Sequence, residues 1–217
     1  MRYPLVVFDW DGTLMDSEAR IVTCMQVAAR EAGIPEPSHE AARDIIGLGM
    51  TEAVQQLFGA PDAALTEAII DRYRHHWLGD ELAPSAMFDG ARELLASLDE
   101  AGYLLAVATG KSRRGLDRVL DETGLRHHFV TSRCADEAFS KPHPQMLLDI
   151  LDYTGMDAAQ TLVVGDTEYD MAMAANAGSH ALGVSHGVHT PERLRRSGAI
   201  TCLNHLSDLP DWLAQVA

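Results

Sequence analysis

Short, continuous apolar runs separated by amphipathic segments constrain the fold of this chain more than any other sequence feature. A run of four or five apolar residues without polar alternation is typical of a strand buried on both faces of a sheet. Strong runs lie at residues 5–8, 104–108 and 161–164, and weaker ones near 129–130 and 181–184. Amphipathic segments lie at 90–101, 112–123, 144–153 and 169–177. This alternation predicts βαβ units, and therefore an α/β fold with a parallel sheet covered by helices on both faces.

The stretch from residue 16 to residue 82 follows a different pattern, because its apolar residues recur at helical spacing. Glycine and proline clusters at 33–35, 47–49 and 59–61 divide it. Helices are predicted at 17–32, 38–46, 50–58 and 62–77. We therefore expect an all-helical insertion over residues 16–82, with residues 1–15 and 83–217 forming the sheet-containing core.

The net charge of the chain disfavours some classes of binding partner. The formal net charge is -15, from 17 basic and 32 acidic residues, which disfavours nucleic acid and anionic membrane surfaces. No stretch approaches the roughly 20 apolar residues of a membrane span. Cys24, Cys134 and Cys202 are far apart and lack metal-type spacing, as expected of free thiols in a reducing compartment. We expect a cytoplasmic protein, monomeric or homodimeric, that acts on a small metabolite.

Polar residues follow the predicted strands at the point where each strand ends. Ligands of open parallel sheets bind beyond the carboxyl ends of the strands, so these residues are expected to share one site. The first strand ends in Asp9-Trp10-Asp11-Gly12-Thr13-Leu14, the second in Thr109-Gly110-Lys111, and a third in Gly165-Asp166-Thr167-Glu168-Tyr169-Asp170. Lys141-Pro142 lies in a loop before a predicted helix. Lys111 and Lys141 are the only lysines in the chain, which draws attention to both.

This set of residues favours phosphoryl transfer. A carboxylate such as Asp9 can attack phosphorus only when its charge and that of the phosphate are offset. A divalent ion held by Asp9, Asp166 and a backbone carbonyl near Asp11 would provide that offset. Thr109, Lys141 and the N–H groups after Asp11 would bind the non-bridging phosphate oxygens.

Asp11 lies two residues after the expected nucleophile and is the candidate general acid and base. Its carboxyl group would protonate the leaving oxygen and later accept a proton from the attacking water. Gly12 permits the tight turn and the close backbone approach that this geometry requires.

The segment Asp9–Asp16, Thr109, Lys141-Pro142 and the segment Gly165–Asp170 resemble the four ordered motifs of the haloacid dehalogenase superfamily. The helical insertion is similar to the cap of its phosphoglycolate phosphatase and β-phosphoglucomutase branch. The resemblance implies a Rossmann-like core, a mobile helical cap, a Mg²⁺ ion and an aspartyl-phosphate intermediate on Asp9.

Several further residues are assigned roles around this centre. Gly110 is expected beside the phosphate, and Asp170 behind the metal ligands. By the same resemblance, the Gly47-Leu48-Gly49 loop is where the cap meets substrate. Arg20 and Arg43 are candidate clamps for an anionic substrate group, with a solvated helix arginine as the alternative for each. For Lys111, contact with a ligand and exposure to solvent are the two alternatives, and the sequence does not decide between them.

Related reactions differ by single residues. Dehalogenases of the superfamily need no acid/base aspartate at the position of Asp11, so dehalogenation is disfavoured. Phosphonoacetaldehyde hydrolysis requires a cap lysine, and no lysine precedes Lys111. Hydrolysis of a small phosphomonoester, phosphoglycolate-like or a sugar phosphate, is therefore the leading hypothesis. A β-phosphoglucomutase-like phosphotransferase is the alternative, and a catalytically silent metabolite-binding protein is the alternative from a different class.

Overall fold

A six-stranded parallel sheet forms the centre of the computed structural model, which describes residues 1–79 and 82–216. Its strand order is β5-β4-β1-β6-β7-β8. The strands are β1 (Leu5–Phe8), β4 (Leu104–Thr109), β5 (Thr131–Cys134), β6 (Thr161–Gly165), β7 (His180–Val184) and β8 (Ala199–Leu203). A separate antiparallel pair joins β2 (Met15–Asp16) to β3 (Ala86–Met87). The predicted α/β fold with a parallel sheet is confirmed.

Strand β1 is central in the sheet, between β4 and β6, and this position explains its unbroken apolar sequence. Successive side chains of a strand point to opposite faces. Val6 and Phe8 belong to one buried apolar cluster, whereas Leu5 and Val7 belong to another. Both faces of β1 are therefore covered, and a polar residue at any of these positions would be buried.

Six helices cover the two faces of the sheet. They are α5 (Ala91–Glu100), α6 (Arg113–Thr123), α7 (Gln145–Thr154), α8 (Glu168–Asn176), α9 (Pro191–Arg196) and α10 (Leu209–Gln215). Buried side chains of α5, α6 and α10 pack on one face, and those of α7, α8 and α9 on the other. Within the described ranges, no helix combines the length and apolarity that crossing a membrane requires.

Four further helices lie between β2 and β3 in the chain and form their own apolar cluster. They are α1 (Glu18–Glu31), α2 (His39–Asp44), α3 (Met50–Phe58) and α4 (Ala63–Leu78). Met25, Ile69 and Val54 lie at the centre of this cluster, which also takes in Tyr169 and Val188 of the core. The predicted cap range also includes residues 80 and 81, and the core range residue 217, which lie outside the described residues. The division into two domains stays a prediction.

The predicted helices agree with the structure to within about two residues at each end, but two strands differ. The strand expected near 129–130 lies instead at Thr131–Cys134. It is an edge strand, and its Thr131, Ser132 and Arg133 are only partly buried, so no apolar run marks it. The other edge strand, β8, was not predicted: its sequence is mostly apolar but is interrupted by Thr201, and only Ala199 is buried.

Helix α7 allows a direct test of the two-faced packing. Leu147 is fully buried under the sheet, whereas its neighbour Leu148 is 41% exposed. We expect Leu147→Ala to lower the free energy of unfolding by about 2–5 kcal/mol, because the substitution leaves a cavity in a close-packed core. The matched variant Leu148→Ala should change it by less than about 1 kcal/mol. Urea denaturation of both variants measures the difference, and equal losses would contradict the assigned orientation of α7.

Candidate active site

The turn after β1 carries the first functional residues. The N–H of Asp9 still donates to Val164 O at 2.9 Å, so Asp9 continues the ladder of the sheet. The chain then turns tightly, with the N–H groups of Leu14 and Met15 donating to Trp10 O. Gly12 has φ 83°, and a Cβ atom there would lie 2.2 Å from Asp166 Oδ2. A glycine is therefore required for this turn to approach Asp166.

Asp9 is buried, and its carboxylate is paired with the ammonium group of Lys141. The residue is 1% exposed, and neither of its carboxylate oxygens accepts a well-aligned hydrogen bond from any described residue. Lys141 Nζ lies 2.9 Å from Asp9 Oδ1 as an ion pair, and it donates a well-aligned hydrogen bond to Asp170 Oδ1 at 2.6 Å. Burial raises the pKa of Asp9 well above its ordinary value, and the charge of Lys141 only partly opposes this.

Lys141 is a fully buried cation placed between two carboxylates. Burial by itself would lower the pKa of its ammonium group, but the charges of Asp170 and Asp9 raise the pKa above its ordinary value. Asp170 is held from the other side by Thr167, whose N–H and hydroxyl donate to Asp170 Oδ2 at 3.1 and 2.7 Å in a capping box at the start of α8. The helix start therefore fixes the carboxylate that positions Lys141.

Asp166 directly follows β6 and lies near Asp9 in the site. Thr13 Oγ1 donates to its Oδ1 at 2.7 Å, and the N–H of Val188 donates to its Oδ2 at 2.8 Å. Burial, reinforced by the charge of Asp170, raises the pKa of Asp166 to about 7. A Cβ atom at Gly187 would lie 2.3 Å from the Asp166 side chain, so this loop also requires glycine.

These carboxylates form a group that suits a divalent cation. Asp9, Asp166 and Asp170 each place an oxygen within 4.8 Å of the others, and all three are buried. One ammonium group, that of Lys141, faces this cluster, which leaves an excess of buried negative charge. Hard cations such as Mg²⁺ bind carboxylate oxygens. The two unsatisfied oxygens of Asp9 are the clearest sign that the residues fit such an ion.

Asp11 is held by two other side chains. Lys111 Nζ donates to both of its carboxylate oxygens at 2.9 Å, and Ser17 Oγ donates to Oδ1 at 2.6 Å. Lys111 is 9% exposed, and its ammonium group lies 4.2 Å from the ring centroid of Trp77. Lys111 therefore does not lie in solvent: it lines the cavity with its ammonium group against the carboxylate of Asp11, and contact with a ligand stays a prediction.

Thr109 and Gly110, at the end of β4, line the same cavity as Asp9 and Asp11. The cavity has a volume of about 340 Å³ and lies between the sheet and the helices α1, α3 and α4. A Cβ atom at Gly110 would lie 2.5 Å from Leu48 O, so the loop of residues 47–49 rests directly on the strand end. Ser140 Oγ accepts a hydrogen bond from the N–H of Gly49 at 2.7 Å and ties the loop down. Gly47 itself lines the cavity.

The two predicted arginine clamps lie outside the cavity wall. Arg20 donates to the backbone carbonyls of Trp77, Gly79 and Ala83. Arg43 pairs with Glu18 and donates to Gly187 O. Both guanidinium groups therefore hold parts of the chain together, and a role in substrate binding stays a prediction.

Other side chains line the cavity that the sequence did not single out. They are chiefly residues of α1, α3, α4 and α6: Ile21, Met25, Met50, Ala53, Tyr73, Arg74, Trp77, Leu78 and Arg114. The i, i+4 spacing of Tyr73 and Trp77 indicates a shared helix face. Nothing in the sequence, however, shows which face of α4 meets the site.

Comparisons with known proteins bear on the family and on the fold of the chain. Residues 6–184 match the family model of the haloacid dehalogenase-like hydrolases. The probable phosphatase IndB of Dickeya dadantii is 40% identical over 88% of this chain and 85% of its own length. The phosphoglycolate phosphatase of Agrobacterium fabrum is 31% identical over 85% of this chain and 81% of its own. A crystal structure of a predicted phosphatase from Clostridium acetobutylicum has a TM-score of 0.89 at 23% identity, and covers 98% of this chain and 99% of that one.

The buried lysine generates a stability prediction. Lys141→Met leaves the carboxylates of Asp9 and Asp170 without their cation, so we expect it to lower the free energy of unfolding by about 3–5 kcal/mol. Adding Asp170→Asn removes one of the stranded charges, and the double variant should recover at least about 1 kcal/mol of that loss. Urea denaturation in chelator-treated buffer measures the free energy of unfolding of the wild type, the two single variants and the double variant. Additive losses would contradict the ion pair.

Proposed function

The chain belongs to the haloacid dehalogenase-like hydrolase family, and we propose that it is a magnesium-dependent phosphatase of small phosphomonoesters that uses Asp9 as its nucleophile. The observation that carries this proposal is the buried Asp9 carboxylate, which accepts no hydrogen bond from the described residues and lines the cavity. Lys141 pairs with Oδ1 of this carboxylate, whereas Oδ2 has no hydrogen-bond partner among the described residues and keeps the lone pairs that attack requires. The relatives named as phosphatases support the same reaction class.

Asp9 and Asp166 are the residues that would hold Mg²⁺, with a backbone carbonyl near Asp11. Bound there, the ion would offset the negative charges of the nucleophile and the phosphate. Asp170 is already engaged by Lys141 and Thr167, so its part is to position Lys141.

In the first step, an Asp9 oxygen attacks phosphorus and the bond from phosphorus to the ester oxygen breaks. Asp11 donates a proton to that oxygen as it leaves, and an aspartyl phosphate remains on Asp9. Lys141 and Thr109 bind the non-bridging oxygens, where negative charge increases in the transition state. The N–H of Gly110, at the end of the same strand, is a further candidate donor.

In the second step, water attacks the phosphorus of the aspartyl phosphate. Asp11 takes a proton from that water, inorganic phosphate is released, and the Asp9 carboxylate is restored. Lys111 and Ser17 fix the orientation of Asp11 for both proton transfers, since they bind its two carboxylate oxygens.

Residues 16–82 would act as a cap over this chemistry. The loop of residues 47–49 lies on the end of β4 and on Ser140, where it closes the phosphate site from above. A covered site excludes bulk water during the attack and strengthens the electrostatic interactions inside it. Opening of the cap would admit substrate and release product.

The nucleophile assignment is tested by Asp9→Asn. We expect this variant to release phosphate at least about 1000-fold more slowly than the wild type, because the amide cannot attack phosphorus. The matched variant Asp152→Asn, on an exposed position of α7, should keep full activity. Phosphate release from p-nitrophenyl phosphate and from a panel of phosphorylated metabolites, with Mg²⁺ present, provides the measurement.

Three outcomes of that assay separate the alternatives. Unchanged activity of Asp9→Asn would contradict the proposal. Tight metabolite binding without turnover by the wild type would favour the silent binding protein. Transfer of phosphate to a sugar phosphate rather than to water would favour the mutase-like alternative. The cytoplasmic location and the oligomeric state expected from the sequence stay predictions.

The metal assignment is tested without activity. Saturating Mg²⁺ at about 100 times its Kd should stabilise the wild type by about 2.7 kcal/mol, which corresponds to a rise in Tm of about 5–10 °C. Asp166→Asn should lose most of this rise, because it removes one anionic ligand. Asp152→Asn should retain it. Thermal unfolding followed by circular dichroism measures the shift, and an equal rise in all three proteins would count against a site at Asp166.

A further inference from the structure

We infer that the preferred substrate of this site is a phosphomonoester whose leaving alcohol carries an apolar ring or chain, larger than glycolate and without a charge near the phosphate. The inference rests on the proposed function, since it concerns the leaving group of that same reaction. It comes from the part of the cavity beyond Asp9 and Asp11, where the leaving group must lie.

Most of the cavity wall beyond the reacting carboxylates is apolar, although Ser112 and Asp136 also line it. Met25 is fully buried, Ile21, Ile45 and Tyr73 are less than one-tenth exposed, and Met50 is half-buried. These side chains come from α1, from the residue after α2, and from α3 and α4, so the apolar surface surrounds the space on several sides. A sugar or glycolate placed there would exchange water for hydrocarbon around its hydroxyl or carboxylate groups, and unpaired polar groups in such surroundings are unfavourable.

The cations of the cavity are not placed to bind a carboxylate beside the phosphate. Lys111 is the inner cation, and its ammonium group already donates to both oxygens of Asp11 at 2.9 Å. Arg74 and Arg114 also line the cavity, but both are exposed to solvent and therefore lie at its mouth.

An aromatic surface extends from Asp11 into the helical insertion. Trp77 lies against Lys111, and its ring is stacked on that of Tyr73, with centroids 6.0 Å apart and an angle of 7° between the planes. Both residues line the cavity. These two parallel rings place aromatic hydrocarbon next to the general acid, which suits a ring or an extended chain attached to the ester oxygen.

The volume also suits a leaving group of this size. The cavity of about 340 Å³ falls in the range of sites that enclose small organic ligands. Glycolate fills little of such a space. Even one additional methylene in a hydrophobic pocket raises kcat/KM by about tenfold or more, so a phenyl group should produce a larger preference.

A matched set of substrates tests the inference. Ethyl phosphate and phenethyl phosphate share the same primary ester bond and differ by one phenyl group, and phosphoglycolate adds a carboxylate to a short chain. We expect the wild type with Mg²⁺ to hydrolyse phenethyl phosphate with a kcat/KM at least about tenfold above that for the other two. Steady-state phosphate release gives the three values.

A pair of methionine substitutions ties the preference to this cavity. Met50 lines the cavity. Met156 packs against the buried apolar cluster that contains Leu5 and Val7, on one face of the sheet. Both methionines are half-buried. Met50→Gln should reduce the ratio of kcat/KM for phenethyl phosphate to that for ethyl phosphate by about threefold or more. Met156→Gln should leave the ratio unchanged, which controls for effects of the polar substitution on folding.

The outcomes separate this inference from the proposed function. Hydrolysis of phosphoglycolate or ethyl phosphate at least as fast as phenethyl phosphate overturns the substrate class while leaving the phosphatase proposal intact. A preference for phenethyl phosphate that survives Met50→Gln overturns the placement of the leaving group. Turnover of other metabolites without turnover of phenethyl phosphate also overturns the inference, whereas no phosphate release from any compound overturns the proposed function with it.

Discussion

The buried, unsatisfied carboxylate of Asp9 is the constraint on which the rest of the structure depends. An ionised carboxylate without donors is strongly unfavourable inside a protein, so the surrounding chain must supply compensating charge. The described residues supply one buried ammonium group, that of Lys141, against the carboxylates of Asp9, Asp166 and Asp170. The remaining imbalance favours a divalent cation. The whole chain is strongly acidic, so the burial of a lysine among these carboxylates is a notable feature of the site.

Parallel pairing of the strands is enough to bring these groups to the same place. Strands β1, β4 and β6 are neighbours and run in the same direction, so the residues that follow them meet at one edge of the sheet. Close approach then depends on glycines. Gly12 and Gly187 both pack against Asp166, and Gly110 packs against the loop of residues 47–49, at distances that a Cβ atom would not permit. Backbone rather than side chain therefore forms much of the wall around the phosphate site.

Much of the fold could be predicted from the sequence because central strands and amphipathic helices carry strong periodic signals. The run at Leu5–Phe8 is apolar for the reason that both faces of β1 are covered. The edge strands β5 and β8 have one open side, and most of their residues are only partly buried, so their positions were misjudged or missed. The residues that we propose to react were identifiable from strand ends. The pairing of Lys111 with Asp11 was not, since it joins side chains 100 positions apart through tertiary packing.

The two ends of the cavity differ in how directly the sequence determines their geometry. The phosphate end is built from residues directly attached to strand ends, where sequence position fixes geometry. The leaving-group end is built by α1, α3 and α4, and its chemistry depends on which helix faces turn inward. Arg20 and Arg43 show the consequence, because both lie in the helical segment predicted to be a cap and yet both bind backbone carbonyl groups of the chain itself. Charge within the cap sequence is therefore a poor guide to the substrate, whereas the apolar residues that line the cavity report directly on what it can enclose.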